Sequence, residues 1–363
     1  MLTAKAGPKV EIIDSPIPKP RADEVVIKVE YAGSNPKDWR VLEIFGGAGN
    51  QGDDVSGIVY DTGSDVTEFK KGDRVMGFHV MLAPHGTWAE YSVVPAHTTA
   101  HLPATTSFER TFVLFPPRPC TTVSQLDALK PLTSATEGAA IPLAAFTAAV
   151  GLYSRLRLPE PWRPARDSEA IPLVIYGAAS AVGAYTLQLA LKSNIHPLIC
   201  VAGNSQDYVK SFIDPSKGDT VVDYRLGNEA VVEGIRKALK GAKLLHAFDA
   251  VAEKGSYQNL REILGKGSKM ALVLPGIDAT EIPDYIEASF TGVGCVHEDE
   301  KDFGFVYFRY MARGLQQGWF KPHPTRVVPG GLGGVQHAIK ELKEGRVNAQ
   351  KLVFKISDTK GVL

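Results

Sequence analysis

The stretch VIYGAASAVGAYTLQLA, residues 174–190, decides how the rest of the chain is read. A short apolar run enters Gly177 and a turn of small residues follows. From Gly183 the spacing of Ala184, Leu187, Gln188 and Leu191 suits a helix. Strand, tight turn and helix in that order put backbone N–H groups at a helix N-terminus, where unsatisfied donors and the helix dipole can hold a pyrophosphate. The full G-x-G-x-x-G pattern would fall on Ala178, Ser180 and Gly183, of which only the last is glycine. The stretch reads as a nucleotide turn, with a plain buried strand-turn-helix as the competing reading.

Downstream, strand and helix patterns alternate. HPLICVAG (196–203) is a strand candidate, 206–212 a short helix, DTVVDYR (219–225) a strand, 229–240 a helix, LLHAFDAV (244–251) a strand and KMALVLPG (269–276) another. That order predicts a parallel sheet with helical crossovers, hence an α/β unit. Helices are expected at 301–318 and 335–342, and KLVFKI (351–356) as a closing strand.

Upstream the pattern changes. Residues 10–13 and 24–29 read as short strands around a proline-rich link, 52–78 as strand, turn and strand, and 86–95 as a further strand. Together they predict an antiparallel or barrel-like N-terminal unit. In SNPKDW, Asn35 can cap a helix with Pro36 at its first position. IPLAAFTAAVGLYSRL (141–156) has the pattern of a packed helix, and 159–170 of a linker. Residues 105–138, an apolar run broken by Pro116, Pro117 and Pro119, show no periodicity, which is unusual inside a compact domain.

Lysine plus arginine and aspartate plus glutamate number 40 each in 363 residues, so no net field points to nucleic acid or an anionic membrane. Three cysteines in separate contexts suggest neither a disulfide framework nor structural zinc. No apolar stretch is long enough to span a membrane, and Met1 leads into no secretory apolar core, so a cytoplasmic protein is expected.

Dinucleotide enzymes that prefer NAD often carry a carboxylate about 20 positions past the glycine turn. Here that region reads Gly203, Asn204, Ser205 and Gln206, with nothing to repel a 2′-phosphate, and Tyr224 is placed to stack at the adenosine side. NADP(H) is therefore the favoured cofactor, although no arginine stands out to bind the phosphate. No serine occupies a G-x-S-x-G elbow. His79, His85, His97 and His101 are too irregularly spaced to read as a metal set, and Asp53 and Asp54 serve equally as turn formers or buried structural groups.

With these residues in view, the chain resembles the medium-chain dehydrogenase/reductase superfamily. The likeness is carried by GDDVSGIV, DVTEFKKGDRVMGF, GTWAEY, the nucleotide turn and VVPGGLGGVQHAIKELKEGRVNAQKLVF. It is most similar to fungal zinc-independent oxidoreductases that include trans-acting enoyl reductases and secondary-metabolism dehydrogenases. The resemblance implies a GroES-like strand-rich catalytic domain plus a Rossmann dinucleotide-binding domain. Its expected limits are 1–150, with an atypical insertion at about 110–137, then 151–310, with a return to the catalytic domain over 311–363.

The resemblance also implies site residues. Pro36, Lys37, Asp38 and Trp39 would lie beside the cofactor, with Ala179, Ser180, Ala181 and Val182 under the pyrophosphate. Gly203 to Gln206 and Tyr224 would serve the adenosine end, Leu274 and Pro275 the nicotinamide, and Lys351 and Leu352 would close over the cofactor. Thr147 is the catalytic candidate, as a donor to nicotinamide or substrate oxygen, with helix packing as its other reading. Phe146, Gly294, Cys295, Val296, Phe303 and Phe305 are expected in the substrate pocket.

Zinc-dependent relatives place a cysteine at the position of Asn35, a His-Glu pair at those of Asp53 and Asp54, and a further ligand near Ala144, so no metal is expected. The expected reaction is reduction of an activated carbon-carbon double bond by NADPH, with water as proton source. The alternatives are a quinone or carbonyl reductase, or a cofactor-binding homologue with little turnover. A small-molecule substrate is implied, a synthase or acyl-carrier partner is admitted, and monomer and homodimer both stay open. Residues 110–137 are expected to be an excursion that contributes no catalytic residue, read either as a lid or as retained noncoding sequence.

Overall fold

The computed structural model describes residues 9–45, 51–103, 134–275, 277 and 279–362. They divide into two units. One is drawn from residues up to Pro142, Asp302–Lys340 and Leu352–Leu363, and the other from Leu143–Lys301 and Glu341–Lys351.

The first unit is built on a seven-stranded sheet. Its strands are β1 (Glu24–Gly33), β2 (Asp54–Thr62), β3 (Arg74–Phe78), β4 (Tyr91–Pro95), β5 (Thr99–His101), β12 (Thr325–Val328) and β13 (Lys351–Lys355), in the order β12-β13-β1-β2-β3-β5 with β4 also on β1. Antiparallel β2 runs along all of β1. On the other edge of β1, Glu24 to Lys28 pair with β4 and Tyr31 to Gly33 with β13. Register shifts between Val26 and Ile27 and between Val29 and Tyr31 bend β1, as bulges do, so that one strand can serve two partners. Val25, Val26 and Ile27 are wholly buried, and only from Lys28 onward does burial alternate with exposure.

Residues 10–13, expected as a strand, form no regular element. Ile12 and Ile13 are exposed there, so their β-branched side chains gain no packing from a strand. α1 (Lys37–Phe45) follows β1. Residues 104–133, which hold most of the expected excursion, lie outside the described residues. Its last residues are ordered: α2 (Ala135–Gly138) opens with a capping box in which Ser134 and Glu137 bond reciprocally. Gly138 packs on Leu102 and Ser56, and the Ser56 hydroxyl donates to the Ala135 carbonyl.

The second unit opens with α3 (Pro142–Ala149), continued by a π-helical turn, Val150–Arg155. The single long helix expected over 141–156 is thus split by a change of hydrogen-bond register. The sheet holds β6 (Leu173–Tyr176), β7 (Leu198–Ala202), β8 (Thr220–Asp223), β9 (His246–Asp249), β10 (Ser268–Leu272) and β11 (Ile286–Phe290), in the order β11-β10-β9-β6-β7-β8, every pair parallel. β6 and β7 are buried along their full length, which is why they read as unbroken apolar runs. The crossovers include α4 (Ala181–Lys192), α5 (Gln206–Lys210), α6 (Asn228–Leu239) and α7 (Ser256–Arg261). The order reverses between β6 and β9, the doubly wound Rossmann arrangement, which binds dinucleotides outside the carboxyl ends of the strands at that reversal. α8 (Lys301–Gln317), from Asp302 on, and α9 (Val335–Lys343), as far as Lys340, belong to the first unit.

Candidate active site

The carboxyl end of β6 is where the sequence placed the nucleotide turn. Gly177 has φ +75°, a left-handed conformation that favours glycine, and the N–H groups of Gly177 and Ala178 both donate to Val201 O at 3.0 Å. Ser180 caps α4 and accepts from Gly183 N at 3.1 Å, leaving first-turn N–H groups with no partner inside the helix. A Cβ on Gly183 would stand 2.2 Å from Gly177 O, so only glycine lets the helix come this close to the turn. The template glycines at positions 178 and 180 are dispensable here: Ala178 is wholly buried, and Ser180 supplies the cap. The turn fits a dinucleotide pyrophosphate. This unit is a nucleotide-binding Rossmann-type domain.

At the neighbouring strand ends an arginine joins the residues expected there. Gly203 lies against Tyr224, whose ring would be 2.5 Å from a Cβ at that position. Asn204 Oδ1 accepts from Arg225 Nη1 at 2.6 Å, and Arg225 also holds both oxygens of Asp223. The Arg225 guanidinium keeps the Asp223 carboxyl well below the usual carboxylate range, with Gln206 adding a further hydrogen bond. Arg225 therefore stands beside Asn204 past the carboxyl ends of β7 and β8, although 21 residues separate them. The signal was the Tyr-Arg pair closing DTVVDYR, which only parallel pairing of β7 with β8 brings to Asn204. Leu274 and Pro275 follow the carboxyl end of β10, Leu274 half-buried and Pro275 exposed.

In the first unit, the segment 35–39 is anchored by a buried charge cluster. Asp38 reaches back from the first turn of α1 to accept from Asn35 N at 2.6 Å, and the Asn35 amide donates to Asp54 at 2.8 Å. Lys37 Nζ lies 3.2 Å from Asp38 and also pairs with Asp53, which in turn meets His79 Nδ1 at 3.2 Å. His79 Nε2 is 3.0 Å from the Pro84 carbonyl. Burial disfavours the Lys37 ammonium, but the Asp38 and Asp53 carboxylates outweigh it and hold the group charged above its ordinary range. Burial pushes the Asp38 carboxyl up to about 6 against the pull of Lys37. At Asp53, burial is overcome by Lys37 and His79, and its pKa is lowered. Asp53 and Asp54 are thus buried structural charges, not turn formers on the surface.

Ser34 N and Oγ both donate to Leu352 O at 3.0 Å, which joins the start of this segment to a strand 318 residues later. Leu352 is wholly buried and Lys351 nearly so. The Arg40 guanidinium sits 4.7 Å over the Trp39 ring. Among the described residues, no group of three or more His, Cys, Asp or Glu side chains is arranged to hold a metal ion.

The remaining candidates divide. Thr147 donates its hydroxyl hydrogen to Leu143 O at 2.7 Å, back-bonding within α3, so in this geometry it presents an acceptor and not the expected donor. Phe146 is wholly buried. Gly294 and Cys295 are half-buried and Val296 is buried, beside Arg155, whose Nη1 donates to Ser154 at 2.7 Å and Glu300 at 2.8 Å. Burial and Glu300 push the Cys295 thiol up to about 11, which suits a packing group and not a nucleophile. Phe303 stacks on Tyr307 at 4.1 Å, whereas Phe305 is 43% exposed under the Arg309 guanidinium. Two residues apart on a helix, they point in nearly opposite directions and do not line one wall.

Residues 21–104 match the family described as "Alcohol dehydrogenase GroES-like domain". Over 331 residues, covering 90% of each chain, the sequence is 50% identical to the trans-enoyl reductase fsr4 of Gibberella fujikuroi. The chain belongs to the fungal trans-enoyl reductase and dehydrogenase family. This family lies within the zinc-independent medium-chain dehydrogenase/reductase superfamily, and the chain is an oxidoreductase. It is also 30% identical over 374 residues, covering 97% of each chain, to the dehydrogenase orsE of Emericella nidulans. The CurK enoyl reductase structure superposes with a TM-score of 0.70 at 17% identity, covering 94% of this chain and 93% of that one. At that identity it is a likeness of fold. Among the described residues, no helix is long and apolar enough to cross a membrane.

Proposed function

We propose that this family member is a zinc-independent, NADPH-dependent reductase of an activated carbon-carbon double bond, acting on an enoyl thioester in fungal secondary metabolism. The observation that carries the reading is the 50% identity, over nine-tenths of both chains, to a protein named as a trans-enoyl reductase. A synthase-borne acyl carrier is the proposed source of the thioester.

The choice of NADPH is supported by the Arg225, Asn204 and Tyr224 grouping at the strand ends and by the lack of a carboxylate at the end of β7. Ala179 to Val182 would hold the pyrophosphate, and Lys351 and Leu352 would close over the cofactor. Bound there, NADPH supplies hydride to the β-carbon of the alkene. The protein's part is alignment, exclusion of water and stabilisation of the developing enolate oxygen. Thr147 would serve as a donor to that oxygen only after releasing the Leu143 carbonyl.

Purified protein is expected to oxidise NADPH with enoyl thioesters, with chelator present or absent. Arg225→Gln should weaken NADPH roughly tenfold or more while leaving NADH unchanged, the scale of one charge-assisted hydrogen bond. Turnover of quinones but not of enoyl thioesters would refute the substrate assignment. Equal loss of both cofactors in the variant would refute the role of Arg225.

A further inference from the structure

The loop that follows β9 packs on the nucleotide turn and is folded around one buried carboxylate. Ala250 N donates to Tyr176 O at 3.0 Å, across the point where the strand order reverses. Val251 fills the space beside Gly177, its Cγ2 2.5 Å from where a Cβ on that glycine would stand. The backbone then turns left-handed at Ala252 (φ +54°), Lys254 (φ +56°) and Gly255 (φ +86°). Two of these three are not glycine, so the surroundings must hold the conformation in place.

Asp249 and Ser256, both wholly buried, hold it. Asp249 Oδ1 accepts from Val251 N at 2.9 Å and from Ala252 N at 2.8 Å, while Oδ2 accepts from the Ser256 hydroxyl at 2.5 Å. Ser256 Oγ in turn accepts from Glu253 N at 3.1 Å. Burial raises the Asp249 pKa against the pull of its hydrogen bonds, so the carboxylate is kept there despite desolvation. In a planar trans peptide the carbonyl of one residue points opposite to the N–H of the next. Three consecutive N–H groups facing the Asp249–Ser256 pair therefore turn the carbonyls of Ala250, Val251 and Ala252 away from it. Among the described residues, none donates a hydrogen bond to these three carbonyls.

The two sides of the reversal thus offer opposite chemistry. The turn from β6 into α4 presents N–H donors, which suit phosphate oxygens. The loop after β9 presents acceptors, which suit hydroxyl and amide hydrogens. A dinucleotide crosses such a crevice with one half on each side. With the adenosine half toward Tyr224 and Arg225 past β7 and β8, the half left for the β9 side carries ribose hydroxyls and a carboxamide. We propose that Asp249 and Ser256 are positioning residues for the cofactor: by fixing the N–H groups of the loop inward, they aim the carbonyls of 250–252 at the nicotinamide riboside of NADPH. The proposal rests on the NADPH reading. Both side chains act through the backbone between them and touch no cofactor atom.

The test is calorimetric titration of the full chain with NADP+ and with adenosine 2′-phosphate 5′-diphosphate. That probe has the adenosine half and both bridging phosphates but no second ribose. Ser256→Ala removes one support of the loop, Asp249→Ala removes the whole carboxylate, and Asp249→Asn keeps an acceptor for Val251 and Ala252. Thermal melting identifies the variants that keep the fold, and Ser256→Ala decides if Asp249→Ala does not.

Ser256→Ala should weaken NADP+ about fivefold or more, the scale of one or two hydrogen bonds, with affinity for the diphosphate probe unchanged. Asp249→Ala should lose more, and Asp249→Asn less than Asp249→Ala. Equal losses for the two ligands, or no loss of NADP+ in folded variants, would overturn the proposal and leave the NADPH reading standing. Wild-type binding of NADH and not NADP+ would end the NADPH reading, and NADH against ADP then decides the proposal on the same terms. Binding of neither dinucleotide would end both.

Discussion

Asp38 shows how one residue couples the site to solution conditions. Its carboxyl titrates near 3.8 when exposed in the unfolded chain and near 6 when folded, because burial outweighs the pull of Lys37. The folded state therefore binds an extra proton between those values, and the stability attached to Asp38 grows as pH falls from 6 toward 4. Asp53 shifts the other way, so its contribution is present above the unfolded value and is lost only below about 4. Wild-type protein should gain on the order of 2 kcal/mol relative to Asp38→Asn between pH 7 and pH 4, measured by thermal or urea unfolding at each pH. A constant difference across that range would show that Asp38 is not destabilised by burial. None of this was legible in the sequence. NPKD read as a helix cap and GDD left turn formers and buried groups equally open, and their charges become a cluster only because β2 lies antiparallel along β1.

At the scale of the element, the turn from β6 into α4 is the part most legible from sequence. An apolar run, small residues and Gly183 were enough, because each reports a local requirement: a strand buried on both faces, a tight turn and a close helix. Gly183→Ala should cost about 1–3 kcal/mol through overpacking against the Gly177 carbonyl, and should weaken NADPH binding by tilting the N-terminus of α4. Unfolding midpoint and NADPH titration would check both, and an unchanged affinity would separate the helix end from the cofactor. Arg225 was not legible, since its relation to Asn204 depends on the parallel pairing of β7 and β8. Phe303 and Phe305, grouped by the resemblance, are parted by the helical period of α8.

At the scale of the molecule, the first unit is assembled from segments far apart in the chain. β13 lies between β12 and β1, and Leu352, Val353 and Phe354 are wholly buried there. Each such side chain contributes about 1.5–3 kcal/mol, so their loss approaches the whole stability of a domain, about 5–15 kcal/mol. Truncation after Gln350 should therefore leave the first unit unfolded, seen as loss of its protease resistance. A truncated chain with wild-type protease resistance would show that the sheet closes without its last strand. Arg309 adds a second long-range tie, with Nε 3.0 Å from each oxygen of Glu68 and further bonds to the Ala96 and His97 carbonyls.

What the sequence determined by itself was local: the nucleotide turn, the alternation of strands and helices behind a parallel sheet, and a distributed likeness that fixed the family. Periodicity, glycine and caps act over a few residues, so they can be read without the fold. What the tertiary structure decided was which distant groups meet: Lys37 with Asp53 and His79, Arg225 with Asn204, and Ser34 with Leu352. Those contacts depend on strand order and register, and through them ordinary turn residues become a buried charge cluster and an arginine tied to Asn204 at the strand ends.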